Sequence, residues 1–172
     1  MKWKNLTSDS GTFFVTATIA GWRPLFEHEA ARRILLADLD FYRSKYDCRI
    51  YAYVIMPEHY HLVVDLNDPA QLHVWLRDVQ GHSGTELSRW LRETDCRAWQ
   101  GQTPGSRVWK EQARALGIIS ESVLRTKIDY LHANPVRRGL AEGPGDWPWT
   151  SWRNYYLEDD SAFRVDRVGF VL

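Results

Sequence analysis

The chain has 172 residues, 44% of them hydrophobic, and its 22 Lys and Arg balance 22 Asp and Glu to a net charge of zero. That length suits one domain with a real core, and the composition excludes a disordered or low-complexity chain. No stretch reaches the roughly 20 apolar residues that span a bilayer, and the N-terminus lacks the apolar segment of a secretory signal, so a cytoplasmic protein with no membrane partner is expected.

In chain order, "GTFFVTATIAGW", residues 11–22, is rich in β-branched and aromatic side chains and bounded by Gly, which predicts a strand. The stretch 25–46 places Ile34, Leu35, Leu39 and Tyr42 at helical spacing. "CRIYAYVIM", 48–56, predicts a second strand that Pro57 interrupts. "HYHLVVDL", 59–66, predicts a third, ended by Asn67, Asp68 and Pro69. A helix over about 69–93 carries Leu72, Leu76, Val79, Leu87 and Leu91 as an apolar stripe, with Gly81 and Gly84 weakening its middle. The stretch 95–107 reads as loop, and "RVWKEQ" as a short fourth strand. A last helix, capped by Ser120, is expected to stop near Asn134, because Pro135 disfavours helix in the residue before it.

Adjacent strands joined by a short turn run antiparallel. The predicted fold is therefore α+β: a ferredoxin- or RRM-like antiparallel sheet covered by helices, built as a βαββαβ unit. The whole chain, 1–172, is expected to be a single domain whose tail from about residue 140, "GPGDWPWTSWRNYY", is an aromatic packing extension.

Two stretches carry chemistry. In "MPEHYHLVVDL", residues 56–66, His59 and His61 lie two apart on a strand, so they share a face, about 7 Å apart along the strand, while Tyr60 points to the other. Two such imidazoles converge on one metal ion or phosphate, or else sit as polar residues facing solvent. In "DYLHANPVRRG", 129–139, Tyr130 and Asn134 are four apart on a helix and share a face, an arrangement that packing and capping also produce. Around it Arg125, Lys127, Arg137 and Arg138 stand against the single acid Asp129, and such a local basic face can hold phosphates on a neutral chain. Trp109 is read as a core residue or a stacking platform. Cys48 and Cys96 are isolated and suggest neither a thiolate site nor a disulfide.

Together, "YVIMPEHYHLVV", "IDYLHANPVRRGL" about seventy residues on, and then "WPWTSW" resemble the IS200-like tyrosine transposases, and within them the REP-associated tyrosine transposases. The resemblance runs from the first strand to about Arg153. It implies an HUH motif on a central strand in which His59 and His61 bind a divalent metal, Mg²⁺ or Mn²⁺. It implies that Asn134 completes the ligand set and that Tyr130 is the nucleophile. It further implies cleavage of single-stranded or hairpin DNA, leaving the 5′ phosphate on tyrosine and a free 3′ hydroxyl, with later rejoining. Arg125, Lys127, Arg137 and Arg138 are then candidates to hold the DNA backbone, as is Arg153. A monomer is expected, with a dimer that exchanges the tyrosine helix as the variant.

The chemistry fits these roles. A metal on the scissile phosphate neutralises the charge that repels a nucleophile, and neutral imidazole and amide ligands leave the ion's charge intact. A phenol ionises near pH 10, so a tyrosine nucleophile needs a proton acceptor; Glu58 and His132 are the candidates. Glu58 stands where the family usually has Asn, and is open to a further reading as an extra ligand. Two other readings remain: an RRM-like nucleic-acid-binding module using Tyr51, Tyr53 and Tyr60 as exposed platforms, and a metal-dependent nuclease that uses water.

Overall fold

The structure is a computed structural model, and it describes residues 11–94 and 107–168. Cys96 and nearly all of the predicted 95–107 loop lie outside the described residues. Strand β1 (Thr12–Thr18) leads to helix α1 (Glu29–Lys45), strands β2 (Arg49–Ile55) and β3 (His59–Asp65), helix α2 (Leu72–Thr94), strand β4 (Arg114–Gly117) and helix α3 (Glu121–Arg137). A short helix α4 (Trp152–Tyr156) follows. The four strands form one sheet in the order β2-β3-β1-β4, and every neighbouring pair is antiparallel. That is the expected α+β, ferredoxin-like arrangement, with the histidine strand in the interior of the sheet.

Side-chain alternation divides the sheet into two unlike faces. Phe13, Val15, Tyr53, Tyr60, Leu62 and Val64 pack against Leu35, Leu39, Trp75, Leu76 and Val79 of α1 and α2. Phe14, Ala52, Val54 and Val63 form a smaller cluster with Ile128 and Leu131 of α3. Two helices thus cover one face and the tyrosine helix covers the other. Ile128 and Leu131 are both fully buried, and burial of that kind contributes roughly 1.5–3 kcal/mol per side chain.

The tail seals the sheet. Ile55 N donates to Trp149 O at 2.9 Å, Ser151 N to Tyr53 O at 2.9 Å, and Asp166 N to Ile50 O at 2.8 Å. The Trp147 indole N–H donates to Ile55 O at 2.9 Å. The exposed edge of β2, which would otherwise offer unpaired backbone groups to another chain, is occupied by the protein's own aromatic segment. Arg153, a candidate DNA contact from sequence, belongs to this packing: it pairs with Asp159 at 2.7 Å and donates to Gly145 O at 2.7 Å.

Three elements differ from expectation. The first helix does not begin at residue 25: a single 3₁₀ turn (Leu25–Glu27) is separated from α1 by His28 in an extended conformation. Phe26 N is held by Pro57 O at 2.8 Å and Phe26 O by Arg32 at 2.7 Å, tying this turn to the β2–β3 connection. "RVWKEQ" makes only an isolated bridge, Trp109 to Ile19, and the fourth strand is Arg114–Gly117. Between them the Gln80 side chain accepts from Ala113 N at 2.8 Å and donates to Glu111 O at 3.2 Å, holding backbone groups of this stretch to α2. Trp109 itself is core, its indole N–H donating to Ser83 at 3.2 Å.

Third, α3 passes through Pro135 and ends at Arg137. Proline removes one donor, yet the helix continues because its stop is set further on. Gly139, at φ 67°, donates to Val136 O at 2.9 Å, and Leu140 N donates to Pro135 O at 2.8 Å. This pair of bonds is the glycine-dependent Schellman cap. The extra turn is what carries Arg137 and Arg138 to the site described below.

Helix α2 runs unbroken through both of its glycines. A Cβ on Gly84 would stand 3.3 Å from the Trp109 ring, whereas one on Gly81 would meet nothing within 4 Å. Gly81→Ala is therefore expected to stabilise the protein by about 0.5–1 kcal/mol, through helix propensity and a less flexible unfolded chain. In thermal unfolding this reads as a rise in Tm of about 1–4 °C.

Candidate functional site

The site forms where β1 and β3 pair. Thr16 lies opposite His61 and Thr18 opposite His59, all on the face that α3 covers. The β3 start is fixed by its turn: Ile19 N donates to Glu58 O at 2.8 Å, and Met56 N to His59 O at 2.8 Å. With Trp22 from the end of β1 and Tyr130, Asn134, Arg137 and Arg138 from α3, these residues line a cavity of about 380 Å³. The chain thus brings together all four residues expected from sequence to carry the chemistry.

Both imidazoles are almost fully buried, and each is held through Nδ1. His59 Nδ1 is 3.1 Å from Glu58 Oε1, and His61 Nδ1 is 2.8 Å from Thr16 Oγ1. A proton on Nδ1 of His59 satisfies the carboxylate and leaves the Nε2 lone pair for a ligand; for His61 the same tautomer satisfies the Thr16 hydroxyl. Burial lowers the pKa of His59, against the pull of Glu58. Burial, aided by the charges of His59 and Lys127, takes His61 down to about 3. Both rings are therefore neutral near pH 7, the form in which imidazole binds metal.

The ring centres of His59 and His61 are 4.8 Å apart. Two imidazoles that bind one ion at about 2.0–2.2 Å through neighbouring coordination positions have ring centres roughly 4.5–5 Å apart, so the pair fits a shared cation. Asn134 donates from Nδ2 to Tyr130 O at 3.2 Å, which leaves its Oδ1 open to act as a third ligand, an oxygen beside two nitrogens. Among the described residues no group of three or more His, Cys, Asp or Glu could hold a metal, so a closed site of that kind is not formed there. Glu58 Oε1 lies on the Nδ1 side of His59, opposite the Nε2 lone pair. Its carboxylate, 7% exposed, sits behind His59 and pairs with Arg138 at 2.9 Å, joining the histidine strand to the end of α3.

Tyr130 is 38% exposed, with its ring centre 5.7 Å from that of His61. Arg137 lies 5.4 Å and Lys127 6.0 Å from the centre of its ring. Two of the four basic residues singled out from sequence thus flank the tyrosine, and a third, Arg138, lines the same cavity. Arg125 does not line the cavity; its guanidinium pairs with Glu121 at 2.8 Å along the helix. His132, a candidate proton acceptor, is buried away from the cavity, 2.8 Å from Ser151 Oγ. That hydroxyl donates to Tyr53 O at 3.2 Å, so His132 Nε2 is the donor in their contact. The exposed-platform reading also loses its residues: Tyr53 and Tyr60 are buried under α1 and α2, and Tyr51 is half-buried.

Sequence reasoning missed Thr16, Thr18 and Trp22, since nothing in a lone sequence gives the β1–β3 register. Trp22 follows Gly21 with φ 56°, a left-handed conformation that costs a bulky residue on the order of 1–2 kcal/mol. Its ring meets His59 edge-on at 6.2 Å between centres.

A structure of a REP-associated tyrosine transposase bound to a REP hairpin superposes with a TM-score of 0.71 at 18% identity, covering all of this chain and 93% of that one. The fold is that of a REP-associated tyrosine transposase. The crystal structure of a candidate transposase from Deinococcus radiodurans R1 gives a TM-score of 0.52 at 16% identity, over 78% of this chain and 97% of that one. No family model matches the sequence. No curated protein matches it. No described helix is long and apolar enough to cross a membrane.

The buried His132 makes a prediction independent of any ligand. Burial lowers its pKa to about 3. Between about pH 6.5 and 3 the unfolded chain holds a proton there that the folded one lacks, so stability falls as pH falls through that window. His132→Gln keeps a donor for Ser151 and does not titrate. Denaturant unfolding of this variant is expected to show an acid limb shallower by up to about 1.4 kcal/mol per pH unit.

Proposed function

We propose that this protein is a single-strand DNA transesterase of the tyrosine transposase type, cutting and rejoining hairpin-bearing DNA through a phosphotyrosine intermediate. The observation that carries the reading is the convergence of two neutral histidines, an amide and a tyrosine in one cavity rimmed by Arg137 and Arg138. Its fold, shared with a structure that holds a REP hairpin, supports the same reading.

His59 and His61 through Nε2, with Asn134 through Oδ1, would hold the ion, Mg²⁺ or Mn²⁺. When bound, the ion supplies positive charge and orientation to the scissile phosphate. Glu58 and Thr16 hold the two rings in place from behind, the outer-shell support that metal-binding histidines commonly have. The Tyr130 oxygen attacks phosphorus, the bond to the 3′ oxygen breaks, and the 3′ oxygen takes up a proton. Because Tyr130 is partly exposed, its phenolic proton passes to water. Lys127, Arg137 and Arg138 balance the negative charge of the strand beside the ring. A 3′ hydroxyl later attacks the tyrosine–phosphate bond and reverses the sequence. The energy of the diester is conserved, so no nucleotide cofactor is required.

The test is cleavage of a labelled hairpin oligonucleotide with Mn²⁺, with products separated under denaturing conditions. Tyr130→Phe is expected to fold and bind DNA but to give neither cut strand nor covalent adduct. His59→Ala and His61→Ala are expected to lose cleavage, with partial rescue by high Mn²⁺, and Asn134→Ala to behave as a milder version. Glu58→Gln is expected to weaken Mn²⁺ binding by about 10- to 100-fold, measured by calorimetry without DNA. An adduct formed by Tyr130→Phe would identify another nucleophile. Cutting by that variant without an adduct would make water the nucleophile and the protein a nuclease.

A further inference from the structure

The cavity that holds the histidines does not end at Trp22. A second cavity of about 180 Å³ adjoins it, sharing Thr16, Thr18 and Trp22 as a common wall and continuing to Lys110, Glu111, Gln112 and Arg114. Trp22 is 56% exposed, although its backbone is held left-handed and its neighbour Ala20 is fixed by a hydrogen bond to Val108 O at 2.7 Å. A lone exposed aromatic needs no explanation. One that stands on a strained, pinned turn between two connected cavities does. Its indole edge meets His59, and Lys110 Nζ lies 5.4 Å from its ring centre. On the far side of the histidines, Lys127, Arg137 and Arg138 supply positive charge against Glu58, which pairs with Arg138; on the near side, Lys110 and Arg114 do so against Glu111, which pairs with Arg114 at 3.3 Å, so cations outnumber acids on both sides. The result is a cationic track along the end of β1, interrupted by one flat apolar ring beside the proposed metal position.

We propose that Trp22 is a stacking platform for the base next to the scissile phosphate, with Lys110 and Arg114 holding the backbone of the same single strand as it leaves the site. This deepens the transesterase reading and rests on it. A flat ring presented to solvent between backbone-holding cations suits an unpaired base of any identity, because every base has a π-face. A paired base could not lie on it without leaving its stack. The track therefore selects for a single-stranded flank beside the hairpin rather than for a sequence.

The test is equilibrium binding of the full chain to a hairpin oligonucleotide with single-stranded flanks, in EDTA, so that neither metal nor cleavage enters. Single abasic sites are placed at each flank position in turn. Wild-type protein is expected to lose about tenfold in affinity at one or two positions. Trp22→Ala is expected to lose about the same on intact DNA and nothing further on the abasic DNA, while Trp22→Phe keeps most of the affinity. Lys110→Ala is expected to lower the slope of log affinity against log salt by about 0.7. Equal abasic penalties in wild type and Trp22→Ala, or unchanged affinity on removing the indole, would overturn the inference while leaving hairpin cleavage by the wild type intact. A wild-type protein that neither binds nor cuts hairpin DNA would overturn the transesterase reading and this inference together.

Discussion

Everything at the site depends on the register between β1 and β3. With Thr16 opposite His61 and Thr18 opposite His59, both imidazoles point toward α3, and Thr16 is placed to hold the His61 ring. A slip of one residue would send both histidines into the apolar layer under α1 and α2, and would bring Tyr60 to the cavity. The slip is opposed on both faces at once. Phe13, Val15, Leu62 and Val64 would lose their places in one cluster, and Phe14 and Val63 in the other. The turn at Pro57–Glu58 adds a further lock through its hydrogen bonds to Ile19 and Phe26. Core packing thereby positions two polar rings, one of which stacks on Phe14.

The second joint is electrostatic. Glu58 is buried between His59 and Arg138, so one carboxylate touches both the strand that carries the histidines and the helix that carries the tyrosine. A buried carboxylate is costly unless paired and hydrogen-bonded. Here both conditions are met by groups that the cavity itself needs. The neutral total charge of the chain conceals this arrangement: the cations gather where α3 ends, while many of the acids are spent in local pairs such as Glu29–Arg33 and Asp40–Arg43.

Much of the fold was legible in the sequence because its signals are local. The β-branched and aromatic content of "FFVTAT" and "IYAYVI" marks strands, and the stripe from Leu72 to Leu91 marks a helix. His59, His61, Tyr130 and Asn134 were legible as same-face pairs, each within one element. What escaped depends on partners distant in sequence. The fourth strand lies at Arg114 because Gln80 holds the preceding backbone, and α3 outlasts Pro135 because Gly139 caps it three residues beyond Val136. Thr16, Thr18 and Trp22 enter the site only through pairing across the sheet. The role of Glu58 needed the approach of Arg138, eighty residues away.

The tail that follows α3 has a consequence for how copies of this chain can associate. Trp147, Trp149 and Ser151 are bonded to β2 immediately after the tyrosine helix, and His132 within that helix is bonded to Ser151. The helix and the strip sealing the sheet are therefore one mechanical unit. Trading α3 between two molecules would require peeling that strip from its own sheet edge, exposing Ile55, Tyr53 and Ile50 backbone groups to any other strand. Such an exchange carries an aggregation hazard that a free-standing helix would not. The same attachment that closes the edge would have to be broken before the tyrosine could serve the histidines of another molecule.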